Sequence, residues 1–278
     1  MLSNIIGSGM KISIIIPTYK PQDYIWECLD SIRNQTFSKE DFEVILVLNG
    51  CKEPYYSQIQ EYIDKNFVGY NVNFIQTDQG GVSNARNIAL DSAKGEYITF
   101  IDDDDYISPK YLEELYQAAA PKIVSLSNAV AFIDGDIKNT FSFALSREFE
   151  QKSSREIQSL LIGRRYFAGP WMKLIHNSII RDKKFDIRFK NGEDSIYMFL
   201  ISDKIESVRF TSSNAIYYRR YRENSAVTQK RTIAQRFINA MKMIWEYIKI
   251  YAKSPHTYNF GFFFTRILGT LKSIFFTA

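Results

Sequence analysis

Four consecutive aspartates, Asp102, Asp103, Asp104 and Asp105, follow directly on the apolar run Tyr97 to Ile101. In extended backbone side chains alternate, so Asp102 and Asp104 are expected to point the same way. Two carboxylates on one side of a strand end can hold a hard divalent cation. Mg2+ and Mn2+ take few carboxylates and complete their shell with substrate phosphate oxygens. A solvated turn or an acidic helix cap is the plainer reading, but four adjacent like charges repel unless something offsets them. A second acidic pair, Glu193-Asp194, opens the apolar run Ile196 to Ile201, as acids often do where a helix dipole favours them. Tyr19, after the first apolar run, offers a ring that can stack on a base. Trp171 suits either a sugar face or the core. The stretch Tyr218, Arg219, Arg220, Arg222 suits a phosphate clamp or a solvated strand edge.

These side chains need a frame, and the first 120 residues supply one. Ile12 to Ile16 is a β-branched run ending at Pro17, and Phe42 to Leu48, Val72 to Thr77 and Tyr97 to Ile101 are similar. Between them lie stretches of helical spacing: Ile25, Cys28, Leu29 and Ile32; the region from Pro54 to Phe67; and a helix from Gly81 to a C′ glycine at Gly95. Ser108-Pro109 reads as an N-cap with proline at N1, opening a helix over Lys110 to Ala120. Strands of continuous hydrophobicity alternating with helices predict an α/β fold, a mainly parallel sheet covered on both faces. Ligands of such a sheet sit at the carboxyl ends of its strands, near Pro17, Asn49, Gln79-Gly80 and Asp102. Beyond Lys122 the pattern is mixed. Strands are expected over Ile123 to Ile133, Asp136 to Phe143 and Ser207 to Tyr218, and helices over Ser153 to Gly163 and Glu193 to Lys204. There is no clear linker and no internal repeat.

Composition narrows the chemistry. The 278 residues are 45% hydrophobic, enough for a large core. Two histidines, His176 and His256, exclude a histidine-rich metal site and argue against a Ser-His-Asp triad. Two cysteines, Cys28 and Cys51, make no disulfide framework and suit a reducing compartment. The net charge of +4 conceals an asymmetry: eight Lys/Arg and one acid lie between Lys230 and Ala278, leaving a net of −3 elsewhere. A near-neutral body with a basic tail argues against a nucleic-acid binder and for a tail that meets something anionic. The N-terminus lacks the basic and apolar regions of a signal peptide, and no run of about 20 uncharged apolar residues predicts a membrane span.

The windows ISIIIPTYK, VILVLNG, GGVSNARNIALDSAKGEYITFIDDDDYISP and NGEDSIYMF, in that order and spacing, resemble family-2 glycosyltransferases with the GT-A fold. The likeness covers roughly residues 11 to 225. It implies a catalytic domain over 11–225, with a nucleotide-sugar-binding half (11–120) and an acceptor-binding half (121–225), preceded by a leader (1–10) and followed by a basic amphipathic helical tail (226–278). It implies Asp104 as ligand of Mn2+ or Mg2+, Asp102 at the ribose or donor sugar, Asp103 at the family's variable position, and Asp105 supporting the loop or touching the acceptor. Pro17, Thr18 and Tyr19 would line a uracil pocket, with Asn49 accepting from the uracil N3–H. Arg86 would lie near the base or diphosphate, or else form a structural salt bridge. Lys20 and Leu48 depart from the family's usual Asn and Asp. Asp194 would be the catalytic base and Glu193 its neighbour, since inverting transfer to a diphosphate leaving group needs one carboxylate and no acid. Gly169-Pro170-Trp171-Met172-Lys173 resembles a segment lining the donor–acceptor cleft, placing Trp171, Lys173, Arg219 and Arg222 on the acceptor or phosphate side.

The tail has Ile233, Phe237, Met241, Ile244, Ile248 and Tyr251 at helical spacing, then NFGFFFTRILGTLKSIFFTA. A basic amphipathic helix pair suits an anionic leaflet, and a domain cap or homo-oligomer contact is the alternative. The combined expectation is transfer of a hexose or N-acetylhexosamine from a UDP-sugar to a lipid-linked glycan of surface polysaccharide, on the cytoplasmic face of the cell membrane. A non-catalytic glycan- or lipid-binding relative and a sugar-nucleotide pyrophosphorylase stand as alternatives. The latter needs a Gly-rich basic loop that PTYKPQDY does not provide.

Overall fold

The computed structural model describes residues 9–157, 159–222 and 232–275. Most of the expected leader and the expected boundary at 225/226 lie outside the described residues. The first half alternates as its hydrophobicity predicts: β1 (Ile12–Thr18), α1 (Tyr24–Arg33), β2 (Phe42–Asn49), α2 (Tyr55–Asn66), β3 (Asn71–Thr77), α3 (Val82–Ser92) and β4 (Tyr97–Phe100). β1, β2 and β4 are buried at every position, because both faces of the sheet are covered. These strands pair in parallel in the order β3-β2-β1-β4. The chain steps outward from β1 to β3 and then returns to the other side of β1. That reversal opens a crevice at the carboxyl ends of β1 and β4, where an open α/β sheet binds its ligands. Thr18 and the four aspartates lie there.

The second half extends the sheet and adds another. It comprises β5 (Tyr106–Ile107), α4 (Tyr111–Gln117), β6 (Ile123–Leu126), β7 (Asn128–Ile133), β8 (Thr140–Phe141), α5 (Ala144–Glu150), β9 (Glu156–Ile157), β10 (Lys173–His176), α6 (Asn177–Ile180), α7 (Glu193–Leu200), β11 (Ser207–Phe210) and β12 (Ile216–Tyr221). The large sheet continues past β4 as β10-β6-β11-β9, and a small sheet runs β5-β12-β7-β8. Two helices, α8 (Ile233–Lys253) and α9 (Phe260–Phe275), pack on each other and on α7.

Several expectations are corrected. The strand expected over Ile123 to Ile133 is two strands in different sheets. The chain crosses over at Ser127, whose N–H donates to Met172 O. Its parallel partner crosses in step, as β11 and then β12. The region Asp136 to Phe143 holds only the short β8. No helix forms over Ser153 to Gly163: Ser154 N–H donates to Thr211 O and Arg155 O accepts from Phe210, so this backbone pairs beside β11. Gly95 is not a C′ glycine. A Cβ there would lie 2.4 Å from Ser13 N, so the position serves close approach to β1. Ser108 does not cap α4: its hydroxyl donates to Asn214 O and accepts from Ile216 N–H. In α8 the helix forms, but Ile233, Phe237, Met241 and Ile248 face outward, while Ala240, Met243, Ile244, Tyr247 and Ile250 are buried.

Candidate active site

β4 ends at Phe100, and the aspartates form a turn closed by Asp105 N–H donating to Asp102 O at 3.1 Å. The extended alternation expected for Asp102 and Asp104 is therefore replaced by a turn that gathers the carboxyls. Tyr217 Oη accepts from Asp102 N–H at 3.1 Å. Thr18 Oγ1, at the end of β1, donates to Asp103 Oδ2 at 2.5 Å. Strand alternation on β12 sends Arg220 and Arg222 to this turn and Arg219 to the other face. Arg222 Nε donates to Asp104 Oδ2 at 2.7 Å, with its guanidinium over the Tyr24 ring. Arg220 donates to Asp104 O through Nε, to Asp105 Oδ1 through its main-chain N–H, and to Asp134 and Glu27 through its terminal nitrogens. Asp105 is buried in this network, bonded to the β12 main chain at Arg220.

Arg86 of α3 joins the two acidic clusters. Its side chain is 4% exposed. Nη2 donates to Asp102 Oδ1 at 2.9 Å and Nη1 to Asp194 Oδ1 at 2.5 Å. The ring of Phe185 lies 5.3 Å beneath the guanidinium and stacks on Tyr197 of α7. Asn87 fixes Phe185 by a reciprocal pair of hydrogen bonds with its main chain. Arg86 thus bridges the two carboxylates.

Asp194 sits in the first turn of α7 behind Gly192, whose φ of 84° suits glycine. A Cβ on Gly192 would lie 2.4 Å from Met243 Cε of α8. Among the described residues Asp194 Oδ2 has no hydrogen-bond partner, and it lies 3.7 Å from where a Cβ on Gly169 would be. Burial raises the Asp194 carboxyl above the usual range, Arg86 lowers it, and the Asp102 charge raises it. Glu193 is buried, with Oε2 lacking a partner, and burial followed by the Asp194 charge pushes it up to about 7.

The nucleotide side is more open. Tyr19 is 54% exposed beside Gly50, and a Cβ on Gly50 would lie 2.8 Å from Gly80 Cα. Tyr19, Gly50 and Gly80 thus form a flat, close-packed floor. Pro17 is buried within β1 opposite Val47, one residue before the strand ends at Thr18. Asn49 is also buried. Its amide donates to Thr18 O at 2.7 Å and accepts from Gly81 N–H at 2.8 Å, tying β1 to the start of α3. Asn49, expected to accept from uracil, makes both of these bonds to backbone.

Trp171 packs 5.2 Å from Tyr217, with the Arg219 guanidinium 5.5 Å from its ring. Lys173, expected on the acceptor or phosphate side, is instead fully buried. It donates to Gly169 O and Trp171 O, and burial lowers it to about 7. Sequence reasoning missed Asn87, Phe185, Tyr217 and the central place of Arg220. The alternation of Arg220 and Arg222 on one strand face was the one available signal.

The carboxylate set fits a divalent cation. Burial, then the charge of Asp102, raise the Asp104 carboxyl, and Arg222 lowers it. No group of three or more Asp, Glu, His or Cys among the described residues forms a metal cage. One or two carboxylates, with phosphate oxygens supplying the rest, is the mode Mg2+ and Mn2+ prefer.

A mainly parallel sheet with acidic residues at its switch point and a carboxylate opposite is the arrangement of the GT-A fold. The chain matches the model of glycosyl transferase family 2 over residues 13–184, more than half its length, and belongs to that family. It is 28% identical over 245 residues to the poly(ribitol-phosphate) beta-N-acetylglucosaminyltransferase TarS of Staphylococcus aureus, covering 84% of this chain and 40% of that protein. It is 29% identical over 242 residues to a poly(ribitol-phosphate) beta-glucosyltransferase of Bacillus spizizenii, covering 86% and 37%. The chain thus spans about two fifths of the length of these relatives. The structure of S. aureus TarS 1-349 in complex with UDP superposes with a TM-score of 0.68 at 21% identity, covering 96% of this chain and 72% of that one. The mannosyltransferase PcManGT of Pyrobaculum calidifontis, in complex with GDP-Man and Mn2+, gives 0.61 at 17% identity, covering 95% and 69%.

Proposed function

We propose that this chain transfers a hexose or N-acetylhexosamine, with inversion, from a UDP-sugar to a glycan acceptor in surface polysaccharide synthesis. The observation that carries this reading is the Arg86 bridge, which holds Asp102 on the donor side and Asp194 on the acceptor side within the span of one guanidinium. The uracil stacks on Tyr19 and the diphosphate lies toward Asp102 and Asp104. Asp104, with Asp102 beside it, would hold Mn2+ or Mg2+, which when bound offsets charge on the departing diphosphate. The acceptor hydroxyl oxygen bonds to the anomeric carbon as the bond from that carbon to the diphosphate breaks. Its proton passes to Asp194 Oδ2, the oxygen that Arg86 leaves free, and UDP departs. Glu193 shapes the pocket behind the base.

The names of the relatives support a UDP-linked amino sugar or glucose as donor and a polyol phosphate or similar glycan as acceptor. The outer face of α8 and α9 supports a lipid-linked acceptor and peripheral attachment to the cytoplasmic leaflet. It exposes Phe237, Trp245, Phe264 and Phe275 and carries Lys242, Lys249 and Lys253 alongside. No helix among the described residues is long and apolar enough to cross a membrane.

The test is a screen of UDP-sugars with Mn2+ and membrane extract as acceptor source, read as UDP formed. One donor giving acceptor- and metal-dependent UDP is expected. Pyrophosphate release from a nucleoside triphosphate, or no turnover with any donor that binds, would overturn the reading.

A further inference from the structure

A basic cleft lies outside the machinery described above. Arg147, Glu148 and Lys152 on and just after α5, with Arg164 and Arg165, line a surface hollow of about 460 Å³. Four cations face one carboxylate. Glu148 pairs with Lys152 and Arg165. Among the described residues, Arg147 and Arg164 donate to main-chain oxygens alone, at Ser142 and Leu161. A guanidinium has five N–H donors, so most of theirs remain open to a ligand in the cleft.

The position of the cleft excludes the donor as its ligand. Lys152 Nζ lies 5.9 Å from the Phe210 ring of β11, and Gly163 packs on Val208 of the same strand. β11 stands three places from β4, the strand that leads into the aspartates, which at the usual strand spacing is about 14 Å. A diphosphate held beside Asp104 does not reach that far. The cleft nevertheless connects to the base. Arg266 donates both to Arg164 O and to Ser195 Oγ, the residue after Asp194. From Arg165 the chain runs directly to Gly169 and Trp171 beside Asp194 Oδ2.

We propose that this cleft is an anion subsite for a phosphate group of the acceptor, held by Arg147 and Arg164 while a hydroxyl of the same molecule reaches Asp194. This rests on the transfer reading above. It adds that the phosphate of such an acceptor is recognised at a separate cleft, far from the reacting carbon. Open, paired guanidinium donors suit phosphate oxygens, which accept two parallel hydrogen bonds.

The test compares wild type with Arg147→Gln/Arg164→Gln, both exposed positions outside the catalytic machinery. Binding of a fluorescent phosphodiester-linked polyol oligomer, and of its phosphate-free counterpart, is followed by anisotropy, with UDP affinity measured in parallel. Affinity for the phosphorylated oligomer should fall about tenfold or more in the variant and lose part of its salt dependence. UDP affinity and the weak binding of the neutral polyol should stay unchanged. Equal binding of the phosphorylated oligomer by both proteins, with UDP binding intact, would overturn the subsite and leave the transfer reading standing. Failure of wild type to bind UDP would strike the transfer reading itself. If the variant instead loses only its binding to phosphatidylglycerol vesicles, the cleft holds a lipid headgroup and the proposal is wrong.

Discussion

Arg86 holds together two carboxylates that would otherwise repel across the cleft. Lysine carries the same charge but cannot donate in a fork to both. Arg86→Lys is therefore expected to lower kcat about 10- to 100-fold with UDP affinity nearly unchanged, since the base is misplaced and the nucleotide floor untouched. Steady-state kinetics beside UDP calorimetry would show this; a parallel loss of UDP binding would place Arg86 in the nucleotide site instead. Glu193 gives a pH prediction. Its carboxyl is raised from the ordinary value near 4.5 to about 7, so the folded state holds a proton that the unfolded chain releases. That contribution to stability is complete below about pH 4.5 and is lost as pH rises through about 7, on the order of 1–3 kcal/mol. Glu193→Gln should match wild type at pH 4.5 and melt higher at pH 8. Equal melting temperatures at pH 8 would mean that Glu193 is ionised and satisfied. The acidic residues of both clusters were legible in the sequence because each stands where an apolar run begins or ends. Their coupling was not: Arg86 and Asp194 are 108 residues apart, and no local pattern encodes a partner at that range.

At the scale of elements, α7 is the part whose placement matters most, because its first turn carries Asp194, the base proposed above. Its entry depends on Gly192, which combines a left-handed φ with direct contact to Met243. Gly192→Ala should destabilise the fold by about 2–4 kcal/mol and abolish most activity by shifting Asp194. Adding Met243→Ala should remove the clash but not the backbone strain, recovering part of the activity. If Gly192→Ala alone melts like wild type, α7 is not held in this way. The first four strands and their helices were readable because continuous burial and helical spacing alternate without interruption. The second half was harder. β6 to β7 and β11 to β12 each read as one apolar run, and hydrophobic periodicity carries no sign of a bend at which a strand changes sheets. Residues Ser153 to Gly163 had helical composition, yet their backbone finds better partners beside β11.

For the whole molecule, the proposed attachment to a membrane rests on the outer face of α8 and α9. Apolar residues point outward along both helices, and lysines stand beside them on α8. Vesicles containing phosphatidylglycerol should carry the protein upward in flotation, and neutral vesicles much less. Phe237→Ala/Trp245→Ala should reduce flotation severalfold without lowering UDP affinity, because more than half of each side chain is exposed on this outer face and would be buried in lipid. A stable dimer in solution that buries Phe237 and Trp245, with no flotation, would favour the oligomer reading of the same face.

The most direct test of the account is the rate of sugar transfer by Asp194→Asn, with the donor and acceptor found in the UDP-sugar screen. The amide preserves size and still meets Arg86, but it cannot take a proton. A fall in kcat of about 10²- to 10⁴-fold is expected, with UDP-sugar affinity kept and an inverted anomeric linkage in the wild-type product. Undiminished kcat in the variant, or retention of configuration, would contradict it.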